Sequence, residues 1–171
     1  MGHICHHTLG NQGNCKEILV SGPVKGTSKN NYFGKGYYLW DNNLKHANWW
    51  GRKQYQNKYY VFEADIIFDL NQMFDVTDRS CIVFLKEIVD EFLEGDIDLS
   101  GFYLGSILTL LFEEEVKTNN QMFPYLYAKG VDFNNDHSSR MNYSPTTKSY
   151  FLLNPTTFFC IFREENIHLQ S

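Results

Sequence analysis

Residues 32–51, YFGKGYYLWDNNLKHANWWG, join a glycine turn, an aromatic run and an aromatic-ended helical segment. Gly34 and Gly36 flank Lys35, so the backbone can turn tightly there and approach a neighbouring group where a side chain would collide. Tyr37, Tyr38, Leu39 and Trp40 predict a short strand, because aromatic side chains suit a pleated, half-buried surface. Asp41 or Asn42 is placed to cap a helix, in which Leu44, Ala47 and Asn48 fall at helical spacing and Trp49 and Trp50 close the turn. A strand and helix joined in this way aim Tyr38 and Trp49 toward one cavity.

Upstream of this stretch, residues 4–8 read as a strand ending in His6-His7-Thr8, followed by a turn at 10–13. Residues 16–21 read as a helix stopped by Gly22-Pro23, and 26–31 as a polar loop. Downstream, the β-branched and aromatic run 59–68 predicts a long strand, leaving through a loop at 69–75. Thr77 or Asp78 caps a helix to about residue 93, with Ile82, Leu85, Ile88, Val89 and Phe92 as its apolar stripe and Gly95 as its stop. A second helix, 100–116, has a face of Tyr103, Leu104, Ile107, Leu108, Leu111 and Phe112. Glu113 to Glu115 read as solvated surface, since adjacent carboxylates on a helix point to different sides. After a short element at 125–129, the polar segment 131–145 has the length and composition of a loop that carries function. Apolar runs at 150–153 and 156–162 are the last strands. Strands gathered around a helical block, and not alternating with helices, predict an α+β fold.

The chain has 171 residues, 43% hydrophobic and 20% charged, which suits one globular domain with a core of its own. Its apolar runs are too short or too interrupted for a bilayer span, so no membrane partner is expected. With no secretion signal and no CxxC pair, Cys5, Cys15, Cys81 and Cys160 are expected as reduced thiols in a cytoplasm. His3, Cys5, His6, His7 and Cys15 match no standard zinc spacing, and no metal is expected. Charge is uneven: the first 58 residues carry eight Lys or Arg against Glu17 and Asp41, and the remainder seven basic against eighteen acidic residues. The uneven charge fits either a solvated surface or a patch that draws an anionic ligand or a nucleic-acid backbone.

GKGYY at 34–38 followed by KHANW at 45–49 resembles the nicotinamide-pocket segment of ADP-ribosyltransferases of the diphtheria-toxin and poly(ADP-ribose) polymerase type. The resemblance implies two antiparallel β-sheets forming an NAD cleft, with residues 78–116 as a helical insertion. It implies that Tyr38 and Trp49, eleven residues apart, wall the nicotinamide ring beside Gly36 and Ala47. His46 then stands where the family often has a serine reaching the carboxamide, and Lys45 where it often has lysine. His6-His7-Thr8 matches the first family motif, so His6 is expected on the ribose hydroxyls and the backbone of His7, where a glycine is usual, on the carboxamide. The third motif, a glutamate on a late strand, falls by count on Phe158, with Thr157 the nearest polar group. The expected catalytic positions are thus His6, Tyr38, Thr157 and Phe158, in an H-Y-x pattern.

By resemblance the chain is a small microbial mono-ADP-ribosyltransferase, moving ADP-ribose from NAD, its substrate, to a protein or nucleic acid. A toxin or defence role, with an antitoxin or inhibitor protein as partner, follows from family habit. The missing carboxylate keeps two alternatives open: an NAD glycohydrolase, and a catalytically inactive module that binds ADP-ribose, NAD or a protein.

Overall fold

The computed structural model describes residues 2–11, 22–92, 102–132, 140–142, 150–152 and 156–163. The readings at 12–21, at Gly95 and over 133–139 lie outside them. The fold is α+β, built on a six-stranded sheet. Its strands are β1 (His3–Gly10), β2 (Tyr37–Asp41), β3 (Tyr59–Ile66), β4 (Met73–Asp75), β5 (Tyr127–Asp132) and β8 (Thr156–Ile161). Across the sheet the order is β3-β1-β2-β8-β5-β4, antiparallel except where β4 runs parallel to β5 at one edge. A separate hairpin pairs β6 (Arg140–Asn142) with β7 (Tyr150–Leu152). This arrangement differs from the expected pair of sheets facing one another. The reason lies in β8, whose Phe158, Phe159, Cys160 and Ile161 are buried on alternating faces, which suits a central strand between β2 and β5.

Alternation along the strands sorts the core into two layers. Trp40, Phe74, Ala128, Phe158, Cys160 and Phe162 face the helices, while Cys5, Leu39, Ile66, Tyr127, Phe159 and Ile161 form a second cluster on the other side. The helices are α1 (Leu44–Tyr55), α2 (Arg79–Phe92) and α3 (Leu104–Thr118). α2 and α3 pack on one face of the sheet, where Cys81, Leu85, Leu108 and Leu111 are buried in the first cluster with Trp40 and Phe158. Of the expected α2 stripe, Leu85, Ile88 and Val89 face this core, whereas Ile82 points outward and Cys81 and Phe84 take its place. Tyr103 is likewise 69% exposed, at the cap of α3 and not on its inner face.

Four local readings change. The cap of α1 is Asn43, whose side chain accepts from the His46 N–H, because Asp41 still belongs to β2 and Asn42 has a positive φ of 42°. α1 also runs past Trp50 to Tyr55, through Gly51, where an added Cβ would lie 2.3 Å from the Tyr59 ring; the glycine serves helix–sheet contact and does not stop the helix. Glu115 is only 8% exposed, and one carboxylate oxygen accepts from the N–H groups of Met122 and Phe123 at 2.8 and 2.6 Å. It ties the chain leaving α3 back to the helix, a role invisible in a run of three glutamates. Residues 69–75 contain a 3-10 turn and β4 where a loop was expected, with Lys129 paired to Asp75 across the parallel edge at 2.8 Å.

Among the described residues no helix is long and apolar enough to cross a membrane, and no group of three His, Cys, Asp or Glu could hold a metal. Cys5, Cys81 and Cys160 are free and buried. Burial, helped by Asp41 and Asp65, pushes the Cys5 thiol up to about 12.

Candidate functional site

The expected site residues lie on three adjoining elements. Register places Glu63, His6, Trp40, Phe158 and Gly130 in one row across β3, β1, β2, β8 and β5. α1 docks over this row: the Thr8 hydroxyl donates to the Ala47 carbonyl at 2.9 Å, and Ala47 is fully buried. Thus the first motif and the KHANW helix are in direct contact. Lys45 is exposed in the first turn of that helix.

His46 is the centre of the arrangement. Its ring sits between Trp40, at 4.3 Å between ring centres, and Trp49, at 4.8 Å. Its Nε2 lies 3.1 Å from a carboxylate oxygen of Asp132 at the end of β5, yet the angle is too poor for a hydrogen bond and the nitrogen is otherwise unpaired. The distance establishes a charge–imidazole contact; the alignment leaves the nitrogen's hydrogen-bonding capacity unused. On the other side of Trp40, His6 is 3% exposed with Nε2 3.2 Å from Glu63, and its Nδ1 has no partner. Buried His6, paired with Trp40 across the strands, and half-buried His46, against its ring, thus each carry a buried nitrogen whose hydrogen bond is unmade among the described residues, an arrangement that costs stability unless something else satisfies it. Tyr32 extends the same end of the sheet: burial first, then the charge of Asp132, raises its hydroxyl pKa.

Other expected members are placed differently. Tyr38 does not wall an open ring site: its hydroxyl donates to Gly34 O at 2.8 Å and accepts from Phe33 N at 2.9 Å, pinning the glycine turn. Burial drives its phenol pKa far upward. Gly36 abuts β8, where a Cβ would lie 2.3 Å from Cys160 Sγ, so its missing side chain serves strand packing. Thr157 faces the opposite side of the sheet from His6, donating to Asp41 Oδ2 at 3.0 Å. Phe158 does lie in the His6 row, but it is 6% exposed and its ring touches Tyr32, Phe33, Tyr38 and Trp40. It is core, seated over Gly130, where a Cβ would lie 2.4 Å from its ring.

His7 carries a side chain into a place where the resemblance expects only backbone to act. β1 and β2 pair only at Cys5↔Asp41 and His6↔Trp40, then part. The His7 imidazole spans the gap, Nδ1–H donating to Tyr38 O at 2.8 Å and Nε2 accepting from Val24 N at 3.1 Å. Both bonds require the neutral ring, and burial lowers its pKa from 6.5. The sign follows: the unfolded chain takes up a proton below that value and the fold does not, so the contribution of His7 is complete above pH 6.5 and shrinks as pH falls below it. We expect the melting temperature to drop from pH 7 to pH 5.5 with a slope that His7→Gln removes. Equal slopes in the two proteins would show that His7 is not the group responsible.

Sequence reasoning missed Asp132, Trp40 and Glu63 as site members. Asp132 was assigned to a polar loop, and only the register of β5 against β8, with Asp132 opposite Thr156, shows which face it takes. The signal available was that an acidic residue directly followed the short apolar pair Gly130-Val131. No family model, curated protein or solved structure matches this chain.

Proposed function

We propose that the chain transfers a single ADP-ribose unit from NAD to a macromolecular acceptor, with the reaction centred on His46, Asp132, Trp40 and Trp49. The observation that carries this reading is the pair of imidazoles near Trp40, each against a carboxylate and each with a nitrogen left unpaired among the described residues, under the helix that bears the KHANW segment. Trp49 already attracts a cation, the Lys53 ammonium at 4.9 Å from its ring centre. The nicotinamide of NAD is itself a cationic ring, and an indole face holds such a group well.

In the proposed step the bond between ribose C1′ and the nicotinamide nitrogen breaks, and its electron pair leaves with neutral nicotinamide. Positive charge develops on the ribose, where the Asp132 carboxylate stabilises it. An acceptor lone pair forms the new bond to C1′, and the acceptor proton passes to His46. In this reading Asp132 takes the part that a glutamate at Phe158 has in the family, from the neighbouring strand and the same face of the sheet.

Trp49→Ala should weaken NAD binding about fivefold while leaving the melting temperature within roughly 2 °C, since the ring is partly exposed and its stacking is worth on the order of 1 kcal/mol. Calorimetry with NAD measures this directly. Unchanged affinity in a folded variant would move the nicotinamide site away from α1.

The buried Phe158 favours a second reading, a module that binds NAD or ADP-ribose without turnover. Nicotinamide release over long incubation separates the two. Release that needs no acceptor and labels no macromolecule would instead indicate an NAD glycohydrolase.

A further inference from the structure

A cavity of about 780 Å³ lies at the opposite end of β2 from His46, bounded by the glycine turn, the C-terminal half of α3 and the residues that follow β8. Its walls bring together Lys25, Lys35, Lys117 and Arg163, with Phe112 and Phe162 between them. These cations come from four separate stretches of sequence, and register explains their meeting: Tyr37 pairs with Ile161, so the turn before β2 and the chain after β8 emerge side by side.

Two of the four are accounted for by the fold. Lys117 pairs with Glu114 at 3.1 Å in the last turn of α3, and Arg163 lies 3.6 Å from Glu115. Lys25 and Lys35 are not. Lys25 is exposed, with its ammonium 5.8 Å from the Tyr37 ring centre and no carboxylate contact among the described residues. Lys35 meets only Glu113, at 3.6 Å with both side chains about half exposed, a contact of a kind that contributes little and exchanges readily for a better anion. The carboxylates facing the cavity are Glu113 and Glu115. Four cations against these two carboxylates leave a surplus of positive charge among the described lining residues, over a floor of aromatic side chains.

We propose that this cavity binds a phosphate-bearing ligand of nucleotide size, the phosphate between Lys25 and Lys35 and the apolar portion against Phe112. Size agrees, since pockets for such molecules span roughly 300–1,000 Å³ and pair an apolar lining with a few polar anchors. The inference is independent of the NAD reading, because His46 and Asp132 lie at the other end of the strand.

Titration calorimetry at low salt with three probes, AMP, inorganic phosphate and adenosine, tests it. The expected result is AMP binding with a dissociation constant of roughly 10–100 μM, phosphate at least tenfold weaker, and no adenosine binding. The double variant Lys25→Gln/Lys35→Gln, altered only at exposed side chains, should weaken AMP by about tenfold or more, and Trp49→Ala should leave it unchanged. Absence of saturable AMP binding up to about 1 mM, equal binding of AMP and adenosine, or an affinity unaffected by the double variant would overturn the proposal. So would loss of AMP binding in Trp49→Ala, which would place the ligand at the His46 end.

Discussion

Gly105→Ala should lower the melting temperature by about 6–12 °C, the equivalent of roughly 3 kcal/mol in a domain of this size. A Cβ at Gly105 would stand 2.0 Å from Asn31 O and 2.3 Å from Gly34 N. Both are backbone atoms, and neither can swing aside as a side chain would. Moving them means opening the turn that is closed by the Gly34 N–H to Asn31 O bond at 2.9 Å and by the Tyr38 hydroxyl bridging Phe33 and Gly34. Overpacking alone costs about 1–3 kcal/mol, and strained or broken buried hydrogen bonds add to it. The favourable helix propensity of alanine, up to about 1 kcal/mol, offsets only part of this. Thermal unfolding followed by circular dichroism measures the shift. A change below 2 °C would mean that α3 does not rest on the glycine turn as described.

The same contact shows what in this chain could be read from sequence. GKGYY was legible as a turn into a strand, because glycine spacing and aromatic content are local properties. What the glycines face was not: Gly34 meets Gly105, 71 positions away, and Gly36 meets Cys160. Four strands of the sheet, β1, β2, β3 and β8, were found from residue pattern, whereas three-residue β4 carries too short a signal and is defined only by its pairing to β5. For the site, the motif put His6, His46 and Trp49 on β1 and α1, elements that sit side by side because β1 pairs with β2 and a short connection joins β2 to α1. Tyr38, Thr157 and Phe158 were misjudged because a side chain's availability depends on what packs against it. Tyr38 is spent on the turn, Thr157 on Asp41, and Phe158 on four aromatic neighbours. Glu115 teaches the same lesson in reverse, a carboxylate that looked solvated and is buried because two backbone amides needed an acceptor.

Asp132→Asn should reduce nicotinamide release from NAD by about 100-fold to 1,000-fold, the loss expected when one group stabilising transition-state charge is neutralised. The substitution keeps size and shape, and the side chain of Asp132 is 17% exposed at the end of β5, so the fold should persist. Ground-state affinity for NAD should change less than about threefold, because ribose acquires its positive charge only as the glycosidic bond breaks. A loss confined to turnover is therefore the signature of a carboxylate acting on the transition state. A purely structural role, holding His46 between Trp40 and Trp49, predicts something different: NAD affinity and melting temperature would fall together with turnover. Phe158→Leu provides the contrasting case, since removing a buried ring should cost stability without selectively removing turnover. Wild-type release from Asp132→Asn in a folded protein would remove Asp132 from the chemistry. Absence of release from the unmodified chain, at NAD concentrations that calorimetry shows to saturate it, would leave the non-catalytic binding reading in place of the transferase.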